Sequence, residues 1–201
     1  MLEAEGFSTH SFEPARIETS RQIDQKIARH WPAITTSEQP HHRLFRFLIK
    51  GLLITCQQRR WEFMRALFHP KPLTEARELD RFLTDSPFRN VHLITHSAGG
   101  ISATHVAAHP KVRSICCLGY PFRHPHRRPE SYRTRHLARI ARPLLIIQGM
   151  DDEYGPASTE LMAMLPPHAQ IIALDCDHEY AGIDHADFAQ LLTAIRSLIA
   201  P

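Results

Sequence analysis

Several features that mark particular protein classes are absent from this sequence. The first ten residues, MLEAEGFSTH, have neither the basic start nor the apolar stretch of a secretory signal. No apolar run is long enough to span a membrane as a helix. The sequence contains no phosphate-binding loop and no glycine-rich dinucleotide turn, so we expect no nucleotide cofactor. The formal net charge of +3 is too small to predict nucleic-acid binding.

Metal-binding and disulfide patterns are also lacking. The four cysteines form no CxxC pair and have no metal-ligand spacing, which favours buried thiols in a reducing, cytoplasmic setting. The histidine pairs at positions 41–42 and 124–126 have no carboxylate or cysteine beside them at ligand spacing. We therefore expect neither a metal ion nor a cofactor.

The overall composition is that of a globular protein. Of the 201 residues, 43% are hydrophobic and 22% are charged, which predicts a single domain with a sizeable core. The fifteen histidines predict that its charge changes as the pH falls through about 6.5. Within residues 1–201 we expect a mostly helical segment over 13–90, a cap or sheet-covering insertion, and a catalytic half over 91–201.

Short apolar runs predict five strands: Gly6–Phe12, Val91–His96, Val112–Gly119, Leu144–Gly149 and Ile171–Leu174. The last four are almost continuously apolar, as are strands buried on both faces of a parallel sheet. Helical patterns follow them at Ala98–Ala108, Tyr132–Ile140, Pro156–Leu165 and Ala186–Ile199. This alternation predicts an α/β fold with a doubly wound, mainly parallel sheet. The loops after the strands then share the edge where such sheets bind ligands.

The upstream segment is predicted to be helical over Ile17–His30, His42–Phe68 and Leu73–Leu83. Its middle helix combines apolar side chains with interspersed Arg and Lys, so it could lie on a membrane surface or bind a partner. We favour the alternative that its apolar side packs against the core, because helices of globular proteins usually bury such a stripe.

The segment Thr95-His96-Ser97-Ala98-Gly99-Gly100 combines the end of a predicted strand with the start of a predicted helix. A strand, a serine on a sharp turn and a helix together expose a nucleophilic hydroxyl. Such a turn needs small residues two positions before and after the serine, which Gly99 satisfies and the β-branched Thr95 does not. The alternative is an ordinary loop in which Ser97 caps the helix.

Two later loops carry the partners that a serine nucleophile needs. A serine hydroxyl becomes nucleophilic when a base removes its proton, and an acid orients that base. Asp151 and Asp152 follow the strand that ends at Gly149, and His178 follows the strand that ends at Leu174. Alternatively, the two aspartates cap the next helix and His178 lies in a solvated turn.

These motifs resemble those of the α/β-hydrolase superfamily, and most of all its small dienelactone-hydrolase-like branch. The resemblance covers residues 91–201 and rests on residues 95–100, 119–122, 133–137, 148–155 and 177–178, in the family's order Ser, Asp, His. It implies Ser97 as nucleophile, His178 as base and Asp152 as orienting acid, with Asp151 as the alternative acid. It also implies the backbone N–H of Ala98 as an oxyanion donor. We expect His96, Tyr120 and Phe122 on the substrate side.

The sequence departs from this family upstream of Ser97. The second oxyanion donor normally comes from a glycine-rich loop after an earlier strand, but only Gly6 and Gly51 precede Ser97. One explanation, which we favour, is a start about 25–30 residues too late, the length of one strand and helix. Otherwise the Gly6–Phe12 strand lies beside Val91–His96, or the domain is a degenerate hydrolase.

The sequence therefore predicts a cofactor-free serine hydrolase that acts on a small ester-like or thioester-like acyl substrate. The alternative is a non-catalytic protein of the same fold that binds a partner or a membrane surface through its basic helices. A basic patch formed by the loop at residues 123–128 together with residues 133, 135, 136, 139 and 142 could attract an anionic substrate, although a solvated arginine-rich loop is the simpler interpretation. The sequence does not indicate the oligomeric state.

Overall fold

The computed structural model describes residues 6–35, 37, 39–56, 61, 64 and 68–200. The chain divides into two compact units, Met1–Glu78 and Leu79–Pro201. The expectation of one domain over residues 1–201 stays a prediction.

Helices make up the regular structure of the first unit: α1 (Ala15–His30), α2 (Pro32–Thr35) and α3 (Pro40–Thr55). A fourth helix, α4 (Lys71–Asp85), begins in this unit and ends in the second. The buried residues of α1 are Ala15, Thr19, Ile23 and Ile27, which recur every four positions and so form one face. The Glu78 carboxylate accepts a hydrogen bond from the Ala15 N–H at 2.7 Å, at the start of α1.

Two expectations for the first unit are wrong. Residues 7–12 form no strand, and Gly6 lies in a turn with φ 87°; four consecutive polar residues at 8–11 leave this segment with little apolar surface to bury. It therefore cannot supply a strand beside Val91–His96. In addition, α3 has no buried residue, so its apolar side does not pack into the core as we expected. The rest of the predicted His42–Phe68 helix is partly outside the described residues, although Trp61, Met64 and Phe68 are helical.

A parallel sheet forms the centre of the second unit. Its strands are β1 (Val91–His96), β2 (Val112–Leu118), β3 (Leu144–Gly149) and β4 (Gln170–Leu174), arranged side by side in that order. The register pairs His96 with Leu118 and Gly149 with Leu174. The strands therefore end close together at one edge of the sheet, as the apolar pattern predicts.

Burial differs across this sheet. Every residue of β3 is buried, in agreement with its continuous apolar sequence. In contrast, β1 is only partly buried, and Ile94 is 43% exposed. The expectation of burial on both faces is therefore wrong for β1 and for β4, which are the two edge strands of the described sheet.

The remaining helices are α5 (Ala98–His105), α6 (Thr159–Met162) and α7 (His185–Ile199). The helix predicted at Tyr132–Ile140 is instead two short 3₁₀ turns, Ser131–Arg133 and Leu137–Arg139. Here the Arg133 carbonyl accepts the Tyr120 hydroxyl at 2.5 Å rather than a helical N–H. The helix predicted at Pro156–Leu165 is reduced to α6, because the Ser158 side chain caps it late and Pro166 follows its last turn.

One described core cluster of the second unit lies between the sheet and α7. Its buried members are Cys116, Leu145, Ile147, Leu174, Cys176, Leu191 and Ile195. Burial raises the pKa of the Cys117 thiol, which lies in the same strand as Cys116, to about 12. Three of the four cysteines are thus buried and apolar in character, whereas Cys56 is exposed. Among the described residues, no helix is long and apolar enough to cross a membrane.

Candidate active site

Three loops at the carboxyl edge of the sheet bring Ser97, Asp152 and His178 together. Ser97 directly follows β1, Asp152 follows β3 and His178 follows β4. Their separation in sequence is large, but the parallel register places the strand ends side by side. The site therefore depends on the sheet and not on a local motif.

Ser97 occupies a strained turn between β1 and α5. Its φ of 52° and ψ of −128° are unusual for a residue with a Cβ atom. The Ser97 N–H donates to the Leu118 carbonyl at 2.9 Å, which ties the turn to the neighbouring strand. The Ser97 side chain makes no helix-capping hydrogen bond, so the interpretation of Ser97 as an ordinary cap is wrong.

Small residues allow this turn, but the position that most needs a small residue is Gly100 and not Gly99, which the sequence pattern indicates. A Cβ atom on Gly99 would lie 3.5 Å from the Thr95 Cβ, which is ordinary van der Waals contact. A Cβ atom on Gly100 would lie 2.9 Å from the Tyr120 ring and 3.3 Å from the Cys117 sulfur. The tight packing is therefore at Gly100, and Thr95 is compatible with the turn.

A continuous hydrogen-bond chain joins the three side chains. The Ser97 Oγ lies 2.8 Å from the His178 Nε2, and the His178 Nδ1 lies 2.9 Å from the Asp152 Oδ2. Asp152 is 1% exposed and His178 is 7% exposed, so water competes little for these bonds. A histidine between an acid and a serine hydroxyl can accept the serine proton.

The structure distinguishes between the two adjacent aspartates. Asp152 points to His178 and is buried, whereas the Asp151 side chain is exposed and its backbone N–H donates to the Cys176 carbonyl. The Tyr154 N–H donates to the Asp152 Oδ1 at 2.8 Å. Of the two aspartates, Asp152 is thus the one whose carboxylate contacts the His178 ring, and its role as orienting acid stays a prediction.

Gln148 is a site residue that our sequence reasoning did not single out. Its Nε2 donates to the Asp152 Oδ2 at 2.6 Å and to the Gly155 carbonyl at 2.8 Å, while its Oε1 accepts the Tyr120 N–H at 2.9 Å. It therefore fixes the Asp152 carboxylate and joins two loops. Its signal in the sequence is that it is the sole polar residue of β3, LLIIQG.

His178 is held by contacts on several sides. The His96 Nε2 donates to the His178 carbonyl at 3.1 Å, and the Tyr154 ring lies 4.5 Å from the His178 ring between centroids. Gly119 has a φ of 59°, and a Cβ atom there would lie 3.2 Å from the His178 ring. Both the backbone conformation and the close imidazole therefore favour glycine at position 119.

The residues expected on the substrate side divide into two groups. His96 is exposed beside the triad, and its place on the substrate side stays a prediction. Tyr120 is fully buried and Phe122 is 5% exposed, with their rings 4.8 Å apart. Burial raises the pKa of the Tyr120 phenol, whose hydroxyl donates to a backbone carbonyl. These two side chains are therefore buried beneath the site and do not face the substrate side, where we expected them.

The Ala98 N–H opens α5 immediately after Ser97, and no described residue accepts a hydrogen bond from it. The oxyanion role of this N–H stays a prediction. No group of three or more described His, Cys, Asp or Glu side chains is arranged to hold a metal ion.

The basic loop at residues 123–128 lies next to this site. The Arg123 N–H donates to the Tyr154 carbonyl at 2.9 Å, and the His124 ring lies 5.8 Å from the Tyr154 ring. Tyr154 in turn contacts the His178 ring. Arg133 is different, because it is buried and forms a salt bridge with Glu130 at 2.8 Å.

A parallel sheet with a serine elbow and a Ser–His–Asp constellation at its carboxyl edge is the architecture of hydrolases of the α/β class. A family model described as an alpha/beta hydrolase domain matches residues 72–196, more than half of the chain. The chain therefore belongs to the alpha/beta hydrolase domain family. A search of curated proteins found no match.

Several solved structures are similar to this chain at low sequence identity. The esterase domain of a Rhodothermus marinus protein is 20% identical, with 62% of this chain and 68% of that chain covered and a TM-score of 0.48. Alpha/beta hydrolase domain-containing protein 10 from mouse is 19% identical, with 64% and 69% covered and a TM-score of 0.48. An alpha-beta serine hydrolase homologue from Coxiella burnetii is 17% identical, with 66% and 62% covered and a TM-score of 0.44.

Proposed function

We propose that this protein is a serine hydrolase that cleaves small ester-like or thioester-like acyl compounds. The observation that carries the proposal is the buried hydrogen-bond chain from the Ser97 Oγ through His178 to Asp152, with lengths of 2.8 Å and 2.9 Å. Family membership gives this arrangement its chemical context.

In the proposed reaction, Ser97 is the nucleophile and His178 moves the proton. The His178 Nε2 takes the hydroxyl proton as the Ser97 Oγ attacks the acyl carbonyl. The carbonyl oxygen becomes an oxyanion that accepts the Ala98 N–H. Collapse of the tetrahedral intermediate breaks the bond to the alcohol or thiol, which leaves with the proton from His178. Water then attacks the acyl-enzyme and gives a proton to His178, which passes it to the Ser97 Oγ as the bond between Ser97 and the acyl group breaks and the carboxylic acid leaves.

Asp152 and Gln148 have supporting roles in this scheme. The Asp152 carboxylate accepts the His178 Nδ1–H, so the Nε2 lone pair faces Ser97, and it stabilises the imidazolium that forms. Its oxygens also accept the Gln148 amide and the Tyr154 N–H. Three donors therefore hold the carboxylate in one orientation, which lowers the reorganisation needed during the reaction.

A fluorophosphonate probe tests the nucleophile directly. We expect the wild-type protein to be labelled covalently and Ser97→Ala to lose the label together with hydrolysis of p-nitrophenyl acetate. Ser131→Ala is the matched control, because Ser131 is exposed and its side chain is not part of the triad. Labelling that persists in Ser97→Ala would overturn the assignment. Absence of labelling in folded wild-type protein would favour a non-catalytic binding protein.

A further inference from the structure

Helix α3 turns two basic side chains toward its own unit and leaves an apolar stripe exposed on its other side. Its polar side chains face the neighbouring segments of its own unit: Lys50 forms an ion pair with Asp24 of α1 at 2.6 Å, and the Arg46 guanidinium donates to the Thr35 carbonyl at 3.1 Å. In a helix that covers a core, the apolar stripe occupies this inward side. The apolar stripe of α3 is therefore left for some other contact.

The outward side of α3 is a continuous apolar surface. Leu44, Phe47, Leu48 and Leu52 are spaced by one, three or four positions and so lie on one face. Their exposed fractions are 60%, 73%, 59% and 67%. Exposed apolar side chains usually occur singly on a protein surface, whereas a contiguous group marks a binding face.

The charge of this segment indicates what the face binds. From Pro40 to Trp61 the sequence contains five Arg or Lys residues and no Asp or Glu. Among the described basic side chains, Arg43 is exposed, whereas Arg46 and Lys50 bond to their own unit; an exposed cation beside an apolar face without acidic residues complements an anionic lipid surface. The exposed Leu and Phe side chains suit insertion among acyl chains.

We propose that α3 is a membrane-surface helix that lies in the headgroup region of an anionic bilayer. Leu44, Phe47, Leu48 and Leu52 insert toward the acyl chains, and Arg43, exposed on the flank, contacts the lipid phosphates. The salt bridge and hydrogen bond of Lys50 and Arg46 keep the helix attached to its own unit during this contact.

Vesicle flotation of the full chain tests this proposal. We expect binding to phosphatidylcholine–phosphatidylglycerol vesicles that weakens on pure phosphatidylcholine and in high salt. The double variant Phe47→Gln/Leu52→Gln should lower the partition coefficient about tenfold or more, because it removes two inserting side chains. The matched control is Met162→Gln/Phe188→Gln, whose side chains are 52% and 48% exposed in the other unit and should not affect binding.

Three outcomes would overturn the proposal. One is a folded wild-type protein that does not float with anionic vesicles. Another is equal loss of flotation in both double variants, which would show that any apolar exposure suffices. The third is a dimer in sedimentation that Phe47→Gln/Leu52→Gln converts to a monomer without any vesicle binding, since the face would then bind a second copy. Circular dichroism confirms that the exposed substitutions leave the helices intact.

Discussion

Asp151 and Asp152 are neighbours in sequence with different surroundings. Asp152 is buried and contacts His178, whereas the Asp151 side chain is exposed. Asp152→Asn replaces the acceptor for the His178 Nδ1–H and favours the wrong tautomer, so we expect esterase activity to fall about a thousandfold or more. Asp151→Asn is the matched control and should leave steady-state kinetics essentially unchanged. The opposite ranking would move the acid role to Asp151.

At the scale of single residues, the sequence predicts which residues form the candidate site better than it predicts which way their side chains point. The order of Ser97, Asp152 and His178 follows from motifs after apolar strands, and the structure brings all three together. The inward direction of Tyr120 was not predictable, because its hydroxyl bonds to a carbonyl of a distant loop. The role of Gln148 likewise depends on contacts that form only when the loops after two strands meet.

The end of β3 contains a glycine that the element needs for close packing. A Cβ atom on Gly149 would overlap the Cys176 carbonyl and approach the Asp177 carbonyl to 2.8 Å. Gly149→Ala must therefore displace the β4 loop that leads to His178, and we expect it to lower the free energy of unfolding by about 1–3 kcal/mol. Urea denaturation measures this change.

Gly99→Ala provides the comparison for Gly149→Ala. Its new methyl group would make an ordinary 3.5 Å contact, and alanine favours the helix, so stability should change by less than about 1 kcal/mol. Equal destabilisation by both substitutions would show that the overlap at Gly149 does not govern the packing of this edge.

Elements were predicted correctly where periodicity and tertiary packing agree. β3 and α7 have strong patterns and are found within one residue of their predicted ends. The helix predicted at Tyr132–Ile140 is interrupted where the Arg133 carbonyl accepts the Tyr120 hydroxyl, a long-range bond that takes the place of a helical one. For α3, periodicity identifies the apolar face, but only the position of its neighbours reveals that this face points outward.

The stability of the whole molecule should depend on pH through a histidine stack in the second unit. The His136 and His105 rings lie 3.8 Å apart, and the His136 Nδ1 is buried without a hydrogen-bond partner among the described residues. Burial and the nearby His105 lower the pKa of His136 from 6.5 to about 4. The folded protein thus resists protonation at a site that the unfolded chain protonates freely.

The sign of this effect follows from proton binding. Between about pH 6.5 and pH 4 the unfolded chain binds more protons at His136, so acidification through this window lowers the free energy of unfolding. We expect His136→Gln to flatten the pH dependence of urea midpoints in this window. Identical slopes for the wild type and the variant would contradict this assignment. Above pH 6.5 His136 should contribute no pH dependence.

The whole-molecule arrangement was predictable in part. The alternation of strands and helices over residues 91–201 correctly indicates a parallel α/β sheet, since each strand there is bounded by clear turn signals. The division into two units and the partial exposure of β1 depend on how distant segments pack. Apolar content alone gives β1 and β3 the same prediction, although their burial differs.

The strained backbone at Ser97 means that the residue type that is best for stability differs from the one that supplies a hydroxyl. A residue with a Cβ atom is unfavourable at φ 52° and ψ −128°, whereas glycine adopts this conformation readily. Ser97→Gly should therefore be more resistant to denaturation than Ser97→Ala, by about 1 kcal/mol, although both lack the hydroxyl. A sequence selected for robustness alone would place glycine here. Ser97 thus keeps a strained backbone conformation at the position where its hydroxyl is presented.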